Sequence, residues 1–170
     1  EVVTRLLRSA EPVSFEGEFY RLRGAVLLPR PARPGGVPVV VGGNGPRRTL
    51  PLAARYADEW NGLFLDAKRF AGLSARLDER VEEAGRRPEE VRRSLMVRAV
   101  FGRTEARVRE KLGGAPRGAL EEQAAIVGTA GEFVERLGEL QEAGAQRVML
   151  QWLETDDLEG IEELASGVLQ

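Results

Sequence analysis

Apolar residues recur along this chain in two rhythms, and each change from one to the other marks a boundary between elements. Residues 1–10 place Val2, Val3, Leu6, Leu7 and Ala10 on one helical face. The stretch Val13-Ser-Phe15-Glu-Gly-Glu-Phe19-Tyr-Arg-Leu22 reads instead as two short strands joined at Glu16-Gly17 in a hairpin. Pro29, Pro31, Pro34, Gly35 and Gly36 then make a loop that neither helix nor strand can occupy. Residues 37–41 are a short continuous apolar run, the pattern of a strand buried on both faces. A helix is predicted over about 46–57, a second apolar run over 60–65, and a long helix over 67–84. In that long helix Phe70, Leu73, Leu77, Val81 and Ala84 recur at spacings of three and four.

Residues 95–101 form the third predicted strand of this series. Two or three helical stretches follow, the last opening with Thr129-Ala-Gly-Glu132. That is a capping box, in which the Thr hydroxyl and Glu carboxylate satisfy otherwise orphaned backbone donors. This helix runs through Leu137, Leu140 and Ala143 and stops at Gly144, a residue suited to end a helix. Residues 147–153 are the fourth strand and 156–169 a final helix. Strands alternating with helices imply an α/β domain of parallel βα units with right-handed crossovers. The whole of 1–170 reads as one domain, with a helix, hairpin and Pro-rich loop in 1–36 and four βα units in 37–170. A doubly wound open sheet and part of a (β/α)8 barrel both fit the alternation.

Composition narrows the chemistry more than the fold. The 25 Lys and Arg are scattered among 27 acids for a net charge of −2, which provides no basic field for nucleic acid or an anionic membrane. The chain has no cysteine and no histidine. Disulfides, thiolate metal sites and a Cys nucleophile are excluded, and so are the commonest general base and metal ligand. Chemistry here must use carboxylates, Arg, Lys, Tyr or a bound cofactor. No apolar run is long enough to span a bilayer and no secretory signal opens the chain, so a cytoplasmic location is the default expectation. The chain begins in a helical pattern without a methionine, as a processed or truncated chain would.

The sharpest local signal is Gly42-Gly43-Asn44-Gly45-Pro46, set between a predicted strand and a predicted helix. Glycines there let the backbone approach a ligand closely, and Pro46 suits a first helical turn. Free N–H groups and the helix dipole together make an anion site. Arg47 and Arg48, read as lying in that first turn, work against the dipole unless one of them meets a phosphate or carboxylate. The turn matches neither G-x-G-x-x-G nor a P-loop. A tight turn without a ligand remains the plainer alternative.

Several segments follow one another as in luciferase-like monooxygenases. They are Val13-Ser-Phe-Glu-Gly-Glu-Phe-Tyr, Pro29-Arg-Pro, Val37-Pro-Val-Val-Val-Gly-Gly-Asn-Gly-Pro-Arg and Leu52-Ala-Ala-Arg-Tyr-Ala-Asp-Glu-Trp-Asn61. Val127-Gly-Thr-Ala-Gly-Glu-Phe-Val-Glu-Arg-Leu and Ala143-Gly-Ala-Gln-Arg-Val-Met-Leu-Gln resemble the closing segment of that family. The chain is most similar to the type that uses the deazaflavin coenzyme F420. The resemblance implies the C-terminal half of a (β/α)8 (TIM) barrel, with 37–41 as strand five and 147–153 as strand eight. It implies a flavin- or deazaflavin-dependent oxidoreductase, acting on a small molecule, with F420 or FMN as cofactor. Gly42 and Gly43 inherit a place beside the cofactor phosphate. Asn44, Gly45 and Arg47 join them as extensions from the anion-site argument.

The family's acid and base residues come mostly from the N-terminal half, so no catalytic residue is assigned and this chain alone is expected to be inactive. Gln151, Trp152, Glu154 and Asn61 fall at strand ends, where packing or loop solvation is the plainer reading of each. Half a barrel leaves two open edges and an inner face expected to be apolar. A missing N-terminal half or a second copy, giving a homo-oligomer, is therefore expected to complete it. The alternative function is a catalytically silent half-barrel that binds a phosphorylated ligand or serves as an assembly module.

Overall fold

The computed structural model describes residues 1–33 and 35–168. Pro34 of the predicted loop and Leu169 of the predicted last helix lie outside the described residues, as does Gln170. The chain opens with α1 (Val2–Arg8) and an antiparallel hairpin, β1 (Val13–Glu16) and β2 (Arg21–Ala25). The strands do not join at Glu16-Gly17. The Gly17 N–H donates to the Tyr20 carbonyl at 3.0 Å, so the turn spans 17–20. Phe19 and Tyr20 resemble strand residues because aromatics favour strands, but they sit at the hairpin tip, 82% and 72% exposed.

The main sheet is wholly parallel. It comprises β3 (Val40–Gly42), β4 (Glu59–Leu63), β5 (Arg92–Phe101), β6 (Ile126–Gly128) and β7 (Arg147–Gln151). Between and after the strands run α2 (Thr49–Tyr56), α3 (Ala67–Glu83), α4 (Glu105–Leu112), α5 (Arg117–Glu121), α6 (Ala130–Glu142) and α7 (Leu158–Val168). The predicted alternation holds, with one strand more than the pattern suggests. β6 has only 3 residues, too few to set up a periodicity.

The backbone shows where β6 lies. The Phe64 N–H reaches the Met96 carbonyl at 2.8 Å, and the Gly102 N–H reaches Gly128 at 3.1 Å. Even-numbered residues of β5 thus serve β4 first and then β6 along one edge. The Gln146 N–H reaches the carbonyl of odd-numbered Arg93 at 2.9 Å, on the edge that β7 occupies. β6 therefore extends the line of β4, and the lateral order is β3-β4-β5-β7.

Successive side chains of a strand face opposite ways, and the two faces of this sheet differ in kind. One face carries Trp60, Leu95, Val97 and Phe101 against the helices, all buried. Trp60 stacks on Phe70 of α3 with ring centroids 5.4 Å apart, and Phe101 meets Phe133 of α6 edge-on at 5.7 Å. Each such side chain contributes roughly 1.5–3 kcal/mol by leaving water.

The other face is mixed where an apolar inner face is expected from sequence, with polar groups set among Leu63, Met96, Val100 and Met149. The Asn61 Nδ2 donates to the Ser94 Oγ at 2.9 Å. The buried Glu59 carboxylate receives Arg147 at 3.0 Å across the intervening β5, with Arg92 at 4.0 Å. Nor is β3 buried on both faces: Val41 packs on the helix-side core, while Val40 is 50% exposed. Most of the helices cover the first face, but α4 and α5 reach the other at the far end of β5, where Val108, Leu112 and Leu120 pack with Val100, Ala125 and Val127. Short strand runs look continuously apolar because valine occupies both faces of β3.

Candidate functional site

The C-terminal ends of the parallel strands gather the glycine turn, the end of β4 and the loop after β7. Gly43 adopts φ 128°, where a side chain would be strained, and a Cβ there would press on Thr49 at 3.2 Å. Its backbone is fully engaged. The N–H donates to the Asn61 carbonyl at 2.9 Å, and the carbonyl accepts from the Trp60 indole at 2.8 Å. A Cβ on Gly45 would lie 3.0 Å from the Thr49 hydroxyl, so this position too is tightly approached.

Asn44 acts as a piece of strand. Its Oδ1 accepts from the Leu63 N–H at 2.9 Å and its Nδ2 donates to the Leu63 carbonyl at 2.7 Å. The amide thereby clips the turn to the end of β4 and has no polar atom left over for a ligand. What the turn leaves free is backbone. Among the described residues, no acceptor meets the N–H groups of Asn44, Gly45, Arg47 or Arg48.

The helix begins later than the sequence suggests. Arg48, at φ −124° and ψ −50°, is off helical values, so α2 starts at Thr49 and Arg47 and Arg48 precede it. Pro46 and the two arginines form a turn held by the Gly45 carbonyl, which accepts from Thr49 and Leu50 at 2.9 and 3.1 Å. The arginines therefore do not oppose the dipole from within the helix. They stand exposed in front of it, with no ion pair among the described residues.

The start of α2 differs from its equivalents in the same sheet. Asp66 caps α3 by accepting from the Arg69 N–H at 2.7 Å, and Thr104 caps α4 at 3.4 Å. Thr129 and Glu132 cap α6 as a full capping box, and Asp157 accepts from the Gly160 N–H at 3.1 Å in α7. α2 has no side-chain cap and no acid in its first turn. The first N–H groups of α2 are nonetheless satisfied from within, those of Thr49 and Leu50 by the Gly45 carbonyl and that of Leu52 by the Arg48 carbonyl, while Pro51 has none. The open donors belong to the turn before the helix, and an anion is a natural acceptor for such a row of N–H groups.

The other strand-end residues have structural employment. Asn61 is buried and spent on Ser94. The Trp152 indole donates to the Glu154 carbonyl at 2.9 Å, and Lys111 sits 4.8 Å over its ring. Lys111 also pairs with Glu154 at 2.8 Å and with Asp157. Burial works to lower the Lys111 pKa, but the hydrogen bonds of Asp157 and Glu154 outweigh it and raise the value. Asp157 is held low by Lys111 in return. This clamp fixes the loop after β7 to α4 and supports the packing reading of Trp152 and Glu154.

Gln151 has a different setting. It lines a cavity of about 500 Å³ together with Phe64, Arg69, Arg98, Gln123 and Leu153. Arg98 was not singled out from the sequence, although an arginine inside Leu95-Met-Val-Arg98-Ala-Val-Phe101 is the available signal. Among the described residues there is no group of His, Cys, Asp and Glu able to hold a metal. No described helix is long and apolar enough to cross a membrane.

The parallel βα sheet brings the glycine turn, the end of β4 and the loop after β7 to one end of the domain, the end at which open parallel sheets generally present their binding crevices. The sequence profile of luciferase-like monooxygenases matches residues 1–120, and the chain belongs to that family. The F420-dependent glucose-6-phosphate dehydrogenase of Nakamurella multipartita is 36% identical over 102 residues, 56% of this chain and 28% of that protein. The coenzyme F420 dependent tetrahydromethanopterin reductase from Methanopyrus kandleri superposes with a TM-score of 0.77 at 19% identity, over 99% of this chain and 60% of that one. A long-chain alkane monooxygenase gives 0.73 at 14% identity, over 93% and 46%. These two likenesses are of fold. In each case the chain spans less than two thirds of its relative.

Proposed function

We propose that this chain is the C-terminal half, strands five to eight, of a (β/α)8-barrel oxidoreductase that grips the phosphate of F420 or FMN in the 42–47 turn. The observation that carries this is the row of backbone N–H groups at Asn44, Gly45, Arg47 and Arg48, which meets no acceptor among the described residues. The cofactor, when bound, supplies the hydride or oxygen chemistry, so the lack of His and Cys is no obstacle.

The residues present fit such a group. The N–H groups of Asn44, Gly45 and Arg47 face no internal acceptor, and Arg47 is exposed beside them without an ion pair. Gly42 and Gly43 keep the approach clear, and the Asn44 amide holds the turn in shape through Leu63. F420 is favoured over FMN by the name of the curated relative. The polar groups of the inner face, with Glu59 between two arginines, suit a wet barrel interior closed by another half or a second copy.

The test is retention of visible absorbance after gel filtration of the chain mixed with F420 or with FMN. The expected result is retention of one cofactor and its loss in Gly43→Asp, which places a carboxylate where the phosphate belongs. Circular dichroism checks that this variant folds, and Gly43→Ala controls for backbone strain alone. Equal retention by wild type and Gly43→Asp refutes the phosphate assignment. Retention of neither cofactor removes the cofactor reading for this chain.

A further inference from the structure

Arg98 occupies an unusual position for an arginine. It stands in the far half of β5 on the mixed face of the sheet, flanked by Val97 and Ala99, whose side chains enter the helix-side core. Its Nε is shielded from solvent. Among the described residues it is the one buried side-chain nitrogen or oxygen without a hydrogen-bond partner. Among the described residues no acid forms a salt bridge with it. A guanidinium stays charged at any physiological pH, so a half-buried one without a counter-charge costs free energy that the fold does not recover.

The space beside it has the features of a binding site. The cavity of about 500 Å³ is large enough for a small organic molecule. Phe64, Leu120 and Leu153 give it apolar walls, and Gln151 adds a neutral polar group. Arg69, also on its lining, is exposed and has no ion pair of its own among the described residues. Glu122 lies on the lining too, within reach of neither arginine as a salt bridge, so the two guanidiniums leave the cavity with a positive excess. Phe64 holds φ 52°, which a bulky side chain adopts only when its surroundings force it. Its ring is thereby set at the cavity wall.

We propose that this cavity receives an oxyanion, a carboxylate or phosphate carried by a small organic substrate, with Arg98 as its principal donor and Arg69 as a second charge. The planar fork of Arg98 presents parallel donors matched to either group. The inference rests on the oxidoreductase reading only for what the anion is attached to. The anion site itself follows from Arg98 and the cavity.

The Nε–H of Arg98 can be observed directly by 1H–15N correlation spectroscopy, assigned by its loss in Arg98→Lys. The chain is titrated with inorganic phosphate and, separately, with acetate, each against sodium chloride at matched ionic strength. A saturable shift of the Nε–H and of the Gln151 and Ala125 amides is expected in one arm, which identifies the phosphate or carboxylate class. In Arg98→Met the amide response weakens about tenfold or more, as loss of a charge-assisted bond predicts, while Arg98→Lys keeps part of it. Shifts no larger than in chloride, or unchanged in Arg98→Met, overturn the proposal. If Arg98→Met does not fold, the wild-type Nε–H response against chloride decides alone. Cofactor retention with no saturable shift removes this inference and spares the cofactor reading. A saturable shift without cofactor retention does the reverse.

Discussion

The turns after β3 and β6 both pass through a glycine at positive φ, 128° at Gly43 and 152° at Gly128, and both lead into a helix. After β6 the helix closes its own start. The Glu132 carboxylate accepts from the Thr129 N–H at 2.8 Å and from Arg117 at 2.6 Å, and those donors hold its pKa below the usual carboxylate value. After β3 the side chain that could have capped the helix, Asn44, is turned away to Leu63, and the position before the helix is Arg48. A self-satisfied helix start is a structural joint. Before α2 the open donors lie in the turn rather than in the helix, with glycines clearing the approach and arginines in front, and it is on this turn that the proposed anion grip rests.

The contrast can be broken at several points, beginning with the capped turn. In Gly128→Ala the new Cβ falls on the Glu132 carboxylate at a strained φ. A stability loss of about 1–3 kcal/mol is expected in urea unfolding, with cofactor retention unchanged. Asn44→Ala leaves the Leu63 N–H and carbonyl without their side-chain partners. It should cost about 1–2 kcal/mol and, unlike Gly128→Ala, weaken cofactor retention as the open turn loosens.

Acid should act on the capped turn through Glu132. Its pKa is depressed in the fold, so its contribution is fully present above the ordinary value of 4.5 and is lost as the pH falls through the lower folded value. Glu132→Gln should flatten that part of the stability–pH curve; an unchanged curve would deny the cap its role. The smallest effect is expected from Arg48→Ser, which removes one of the two exposed arginines in front of α2 and offers no cap, because the Leu50 N–H is already on the Gly45 carbonyl and Pro51 has none. Stability should stay within about 0.5 kcal/mol, while cofactor retention weakens as a cation beside the open donors is lost.

Much of this architecture is visible along the chain because its signals are local. Phe70, Leu77 and Val81 recur at helical spacing and are buried in α3, and Thr129 with Glu132 forms the capping box their spacing implies. What escapes is set by distant partners. Asn44 looks like a ligand-facing turn residue until Leu63 takes both its polar atoms. β6 is too short for a rhythm and exists because β5 offers it an edge. The polar positions of the second face show a period of two only at Glu59 and Asn61; in β5 and β7 a methionine, Met96 or Met149, interrupts it between Ser94 and Arg98 and between Arg147 and Gln151, which hides the pattern. Arg98 is one arginine inside an apolar run, and only the cavity gives it a meaning.

β5 has 10 residues and carries three neighbours, β4 and β6 along one edge and β7 along the other. A slip of one residue would put Leu95, Val97 and Phe101 on the mixed face and drive Ser94 and Arg98 into the helix-side core. Three separate pairings would have to be broken together for that to happen. β5 thus works as a ruler against which the other strands are read. The β4–β5 pair, joined through α3, spans the shorter loop and is expected to set the scale before β7 arrives from farther along the chain.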